Sequence, residues 1–137
     1  MTDIKYIHSA ENIEHTKLNG FFVDWPDSPS PQRHLDILRA SHGVELAIDT
    51  STNQVVGFIN VISDGILSAY IPLLEVLPAY QGQGIGKELL NRIVARYHHL
   101  YMLDACCDKS VDEFYVSKEF LKVSGMVRRN VESQNAT

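Results

Sequence analysis

Within residues 73–97, LLEVLPAYQGQGIGKELLNRIVARY, three glycines at every second position separate an apolar run from a helical one. Residues 71–77 are mostly apolar and end at Pro78, which has no backbone donor, so they read as a buried strand that stops there. Beyond the glycines, Ile85, Leu89, Leu90, Ile93, Val94 and Tyr97 recur at helical spacing, with Lys87, Glu88, Asn91, Arg92 and Arg96 on the other face. Gly82, Gly84 and Gly86 therefore sit at a helix N-terminus. Such a terminus presents unpaired N–H groups and a partial positive charge, and a loop without Cβ atoms lets an anion approach them closely. Phosphate is the expected guest, against the plainer reading of a flexible turn.

Two phosphate loops can be tested directly. The Walker pattern fails, because three residues rather than four separate Gly82 from Gly86 and Glu88 follows Lys87 where Ser or Thr is needed. A dinucleotide fingerprint needs its third glycine one place after Gly86, although Asp104 falls near the expected acidic position. A third pattern fits in full. Gln81-Gly82-Gln83-Gly84-Ile85-Gly86 satisfies Q/R-x-x-G-x-G/A. It is preceded by a strand and the residues Leu77, Pro78 and Tyr80, and followed by an amphipathic helix, a strand at 101–106 and a helix carrying Phe114-Tyr115. In this order the chain resembles the GNAT superfamily of acetyl-CoA-dependent N-acetyltransferases. The resemblance covers residues 55–120 by motif and the first fifty by order of elements.

Composition agrees with this and narrows it. A chain of 137 residues suits one domain over residues 1–137, large enough to bury about two-thirds of its unfolded surface. No apolar run approaches the roughly 20 residues that span a bilayer, so no membrane partner is expected. The N-terminus lacks the basic start and apolar core of a signal peptide, which makes a cytoplasmic location the default. A net charge of −5 argues against nucleic acid as a partner and suits a cationic amine. The six histidines are scattered without metal-ligand spacing, so no metal is expected. Cys106 and Cys107, adjacent and without disulfide or redox spacing, read as buried reduced thiols in a strand. A homodimer is left open.

Read in order, residues 4–7 can form a strand, and Ser9 can cap a helix that carries Glu11 and Glu14 and ends at Gly20. Ser30-Pro31 reads as an N-cap with proline at the first position of a helix running to about Ala40. Residues 44–49 and 55–62 read as a hairpin across the turn at 49–53. The strand through Leu77, the glycine loop with its helix and the strand at 101–106 would form one right-handed βαβ unit with a parallel pair. Residues 112–120 can form a further helix, and FLKVSGMVRRN one or two last strands before a polar tail from Val131. The expected fold is an α/β domain with a GNAT-like mixed sheet: antiparallel N-terminal strands, a central parallel pair and flanking helices.

The resemblance implies acetyl-CoA as co-substrate, an amine as acceptor, and direct transfer in a ternary complex. The alternative is a CoA-binding sensing or interaction module without turnover. By resemblance the backbone of Val76 and Leu77 holds the pantetheine arm, and Gln81, Gly82, Gln83, Gly84, Ile85, Gly86 and Lys87 hold the pyrophosphate. Asp108 stands where relatives often have an Asn touching that arm. Tyr115 matches the tyrosine that protonates the departing thiolate in many relatives. The usual FY-x-x-x-GF becomes FYVSKEF, with Glu119 in place of Gly, which predicts a longer helix. Glu75, the one acid in an apolar strand, is a candidate base on the amine, or else a structurally paired carboxylate. Phe21, Phe22, Asp24 and Trp25 lie in the segment that often covers the acceptor in the family, where Asp24 can pair with an amine.

Overall fold

Residues 2–137 are described by a computed structural model. At its start the backbone of β1 (Ile4–Ile7) pairs antiparallel with β2 (Gly43–Asp49), which turns into β3 (Gln54–Ser63). The turn follows from its residues: an Asp49 carboxylate oxygen accepts from the Ser51 N–H at 3.0 Å, and Asn53 takes a left-handed φ of 59°. Ahead of it, α1 (Pro31–Ala40) opens as its sequence predicts, with the Ser30 hydroxyl accepting from the Arg33 N–H at 3.1 Å and proline in the first turn.

The expected helix after Ser9 does not form; only a single 3-10 turn, His15–Lys17, is present. Arg39 gives the reason. Its guanidinium donates to the carbonyls of Ala10, Glu11 and Ile13, at 3.2 Å each, and so occupies acceptors that an α-helix would need for itself. The segment instead lies as an irregular cover over one sheet face, burying Leu18, Phe21 and Phe22 beside Leu35 and Leu38 of α1.

The strand expected at residues 71–77 is two strands. β4 (Ser68–Ile71) and β5 (Leu74–Val76) both pair antiparallel with β3, at its far and near ends, and Pro72-Leu73 separates them. Proline at position 72 has no N–H to give a ladder, so pairing lapses there. The parallel partner of β6 (Met102–Ala105) is therefore β4, from Ser68 opposite Met102 to Ile71 opposite Ala105. The sheet order is β1-β2-β3-β4-β6, with β5 beside β3 and the parallel pair at one end. Flanked by helices, this is the mixed sheet that the sequence predicts, with its parallel pair at the edge and not at the centre.

Between the strands, α2 (Ile85–Arg96) buries Ile85, Leu89, Leu90 and Ile93 against one face, with Val56, Ile59 and Val61 of β3. The other face carries Leu46, Val55 and Phe58 under α1 and the N-terminal cover. After β6 comes α3 (Asp112–Val116). The last strands expected in residues 120–130 are absent: that stretch forms neither strand nor helix.

His34 sits in the second core, 1% exposed, with the rings of Phe21, Phe22 and Phe58 at 5.3, 4.9 and 4.4 Å. Neither ring nitrogen has a hydrogen-bond partner. Burial penalises the imidazolium and holds the pKa down, to about 4 from 6.5. Below 6.5 the unfolded chain takes up a proton that the folded chain refuses until about 4, so His34's contribution is present above 6.5 and lost across that window. Urea unfolding should show a loss of about 3 kcal/mol between neutral pH and pH about 4, a loss that His34→Leu flattens. An unaltered pH dependence in the variant would remove the assignment.

Candidate active site

Where β4 and β6 stop running together at Ala105, β5 continues beside β3 with its other edge open. The gap is a cleft of about 610 Å³. Val23, Asp24 and Trp25 border it on one side, Leu74, Glu75 and Gln81 along β5 and its exit, and Cys106, Cys107, Asp108, Val111 and Tyr115 on the other. The Leu77 N–H donates to the Val56 carbonyl at 2.8 Å and the Leu73 carbonyl accepts from the Asn60 N–H at 3.2 Å. By antiparallel alternation, the backbone of Leu73, Glu75 and Leu77 faces β3, and that of Leu74 and Val76 faces the cleft. Of the two residues expected to meet a pantetheine arm, Val76 thus has its groups on the open edge and Leu77 has its N–H engaged.

The glycine loop follows from β5 through a 3-10 turn, Pro78–Tyr80. Tyr80 pins this turn to the end of β2, its hydroxyl donating to Asp49 at 2.7 Å, a contact the sequence offers no spacing to reveal. The Gln81 side chain donates to the Val76 carbonyl at 3.0 Å and so braces the loop against β5. Gly82 and Gly84 have φ of 80° and 85°, which only glycine adopts freely, and a Cβ on either would meet nothing within 4 Å. Gly84 caps α2 with no side-chain bond. As a result, among the described residues no backbone N–H from 82 to 87 has an acceptor in the chain. Ile85 buries its side chain in the core while its N–H joins this row; Gln83 and Lys87 are exposed. Six consecutive donors at a helix start form an anion cradle.

Glu75 points to the face opposite Leu74 and Val76, which pack toward α2. One carboxylate oxygen accepts from the Phe22 N–H at 2.9 Å and the other from the Val23 N–H at 3.3 Å. Phe22 and Asp24 have left-handed φ of 60° and 68°, strained for residues with a Cβ. Glu75 therefore holds a strained loop in place and lines the cleft at once. Beneath that loop Phe22 is buried with Phe21, and it is Val23, Asp24 and Trp25 that reach the cleft.

Tyr115 is half-buried between Phe114 and Phe120, ring centroids 5.3 and 5.4 Å away. Burial, with smaller contributions from Cys107 and Tyr70, pushes its phenol up to about 12. The longer helix that Glu119 predicts does not form. α3 ends at Val116, Glu119 itself takes a φ of 68°, and the Phe120 N–H donates to the Tyr115 carbonyl and the Glu119 N–H to that of Val116. This is a Schellman stop, with glutamate in the glycine position. Cys106 and Cys107 are exposed rather than buried in a strand, because β6 ends one residue earlier and the thiols fall on the cleft wall. Burial and the carboxylates of Asp112 and Asp108 raise the Cys107 thiol. Val127 and Arg129 also line the cleft, which no periodicity in residues 121–130 could have indicated.

The profile of the acetyltransferase (GNAT) family matches residues 9–118. The chain belongs to the GNAT acetyltransferase family. It is 36% identical to a Deinococcus radiodurans R1 protein designated an acetyltransferase, over 98% of this chain and 97% of that one, with a TM-score of 0.93. A GNAT family protein of Streptococcus pneumoniae TIGR4 is 26% identical over 93% and 98% of the two chains, TM-score 0.75. An aminoglycoside acetyltransferase from an uncultured soil metagenomic sample, solved with sisomicin, shares the fold at 20% identity and a TM-score of 0.66, over 93% and 94% of the chains. No curated protein matches the chain. No helix among the described residues is long and apolar enough to cross a membrane, and no group of His, Cys, Asp or Glu there could hold a metal ion.

Glu75→Ala should leave the N–H groups of Phe22 and Val23 without their acceptor, lowering stability by about 1 to 3 kcal/mol. Glu75→Gln, which keeps one carbonyl oxygen, should lose less. Amide exchange at Phe22 and Val23 would report the release directly; unchanged exchange in the Ala variant would mean the loop is held by its aromatic packing alone.

Proposed function

We propose that the protein transfers the acetyl group of acetyl-CoA to a primary amine by direct attack, with both substrates in the cleft. The observation that carries this reading is the row of unpaired N–H groups at residues 82–87, beside an open strand edge that leads into the cleft. Acetyl-CoA supplies an acetyl group activated as a thioester. The loop from Gly82 to Lys87 would hold the pyrophosphate, with Gln81 bracing it and Lys87 adding positive charge. Val76 would pair with the pantetheine arm through its edge groups, and Asp108 could accept from an arm amide on the opposite wall.

Asp24 would attract the ammonium form of the acceptor beside Trp25. Glu75 takes the proton that the amine nitrogen loses as its bond to the acetyl carbon forms. Held by two backbone donors, the carboxylate keeps one orientation for this work. Tyr115 donates to the sulfur as the carbon–sulfur bond breaks. At about 12 its phenol is fully protonated at neutral pH, while an ordinary thiol titrates near about 8.5. Its effect is therefore a hydrogen bond to the developing thiolate charge, the phenol keeping its proton while the thiolate takes one from water after it leaves. The raised Cys107 thiol is a poor nucleophile, which supports direct transfer over an acetylated enzyme.

Gly84→Asp should abolish CoA binding in calorimetry, because it places a carboxylate among the phosphate donors at a φ that costs a side chain strain. Its Cβ meets nothing, so the fold should persist; CoA affinity equal to wild type would sink the proposal.

Tyr115→Phe removes one oxygen and little volume. With the phenol acting on the departing sulfur, kcat should fall by about 10²- to 10³-fold while acetyl-CoA affinity stays close to wild type. The wild-type rate should show no decline from this group as pH rises from neutral toward 10, since it ionises only near 12. Turnover within about threefold of wild type, short of the range for a lost donor, would refute the role.

A further inference from the structure

Four charged side chains line the cleft: the acids Asp24, Glu75 and Asp108, and a single cation, Arg129. Among the described residues none of the four belongs to an ion pair. Glu75 spends its oxygens on the N–H groups of Phe22 and Val23. Every guanidinium hydrogen bond within the described chain belongs to Arg33, Arg39, Arg92 or Arg96, so Arg129 keeps all its donors. A cation and three acids therefore share one opening without neutralising one another.

The strands keep these charges apart. Cross-strand partners lie on the same face of a sheet, so Glu75 on β5 shares the face of Phe58, and Tyr70 on β4 that of Ile62. Phe58 and Ile62 share one face of β3 by alternation, the face turned away from α2. Glu75 and Tyr70 thus look out on the same side, from the two strands that part at Pro72. Over Glu75 lies the loop that carries Asp24 and Trp25. Over the β4–β6 limb runs the chain after α3, where a Cβ on Gly125 would stand 3.8 Å from the Cys106 Sγ. Burial and Cys106 raise the Tyr70 phenol, and the Arg129 charge is close enough to pull it back down. The cleft therefore has an acidic limb and a basic limb, with apolar Phe58, Leu73 and Val127 also in its lining.

We propose that the acceptor amine carries an anionic oxygen group of its own, a carboxylate or a phosphate, which Arg129 receives while Asp24 and Glu75 receive the nitrogen. This deepens the acetyl-transfer reading above and rests on it. A guanidinium forks onto two oxygens of such a group, which gives direction as well as attraction. Gripped at both ends, the acceptor holds its nitrogen at a fixed place relative to the thioester. A plain alkylamine would engage the acidic limb alone. A polyamine would bring a second cation against Arg129 and be repelled. The acceptor class is thus amino acids and aminoalkyl phosphates, and Arg129 is the residue that selects it.

Trp25 is the one tryptophan of the chain and borders the cleft, so its fluorescence reports acceptor binding without turnover. With CoA present, matched probes should be titrated: phenylalanine against phenethylamine, and phosphoethanolamine against ethanolamine. The anionic member of at least one pair should bind about tenfold tighter or more, and the pair with the larger ratio tells carboxylate from phosphate. Arg129→Gln should bring that ratio close to one while the far-UV spectrum and CoA affinity stay as in wild type, since the side chain is exposed and bonded to nothing in the described chain. Arg129→Lys should restore part of the ratio. Anionic probes that bind no tighter than their partners, or a preference that survives Arg129→Gln, would overturn the assignment. The expected ratio without thiol release from acetyl-CoA would uphold it and count against acetyl transfer instead.

Discussion

The rest of the structure depends on the lapse of pairing at Pro72-Leu73. Up to Ile71 the chain serves the β4–β6 pair; from Leu74 it serves β3 alone, and nothing covers its other side. A sheet that stayed closed there would bury the Val76 backbone in a ladder and leave no cleft. Because it opens, one edge of β5 is left without a strand beside it, Glu75 reaches the loop at Phe22, and the chain after β6 becomes a facing wall. A missing N–H at one proline thus opens the space that Asp24, Trp25, Glu75, Asp108 and Tyr115 border.

The glycine loop complements this opening, and its three glycines serve different ends. Gly82 and Gly84 supply backbone angles that side chains resist, which turns the amides of residues 82–87 outward. Gly86 lies on the first turn of α2, where a Cβ would stand 3.6 Å from Val76 and 3.7 Å from Phe114, an ordinary contact. The helix has no capping side chain, so its first donors have no side-chain partner. Stability comes instead from the buried face of Ile85, Leu89, Leu90 and Ile93, which lets the terminus itself stay unsatisfied.

What could be read from sequence was what local chemistry decides. The Ser30-Pro31 start of α1, the hairpin at 49–53 and the amphipathic face of α2 each rest on neighbours in the chain, and each is present. The run of glycines likewise marks the start of α2 from its own neighbours in the chain. The failures lie where distant groups intervene. Arg39 takes the carbonyls that a helix after Ser9 would use, Pro72 splits an apolar run that looked continuous, and the thiols fall beyond the last paired residue of β6. Within the site, the Tyr80–Asp49 contact and the approach of Arg129 join residues far apart in sequence, which no spacing records.

At the end of α3, the bond from the Phe120 N–H closes on the carbonyl of Tyr115 itself, and the Phe120 ring packs against the Tyr115 ring. The turn that halts the helix and the vice that grips the phenol are one piece of chain. Its stiffness thereby becomes a tolerance on hydroxyl position. A glutamate that resists its left-handed angle acts here as a spring wound against that vice. On the role proposed for Tyr115, slack in this solvent-facing corner would be felt as misalignment at the sulfur, a change that no contact with substrate explains.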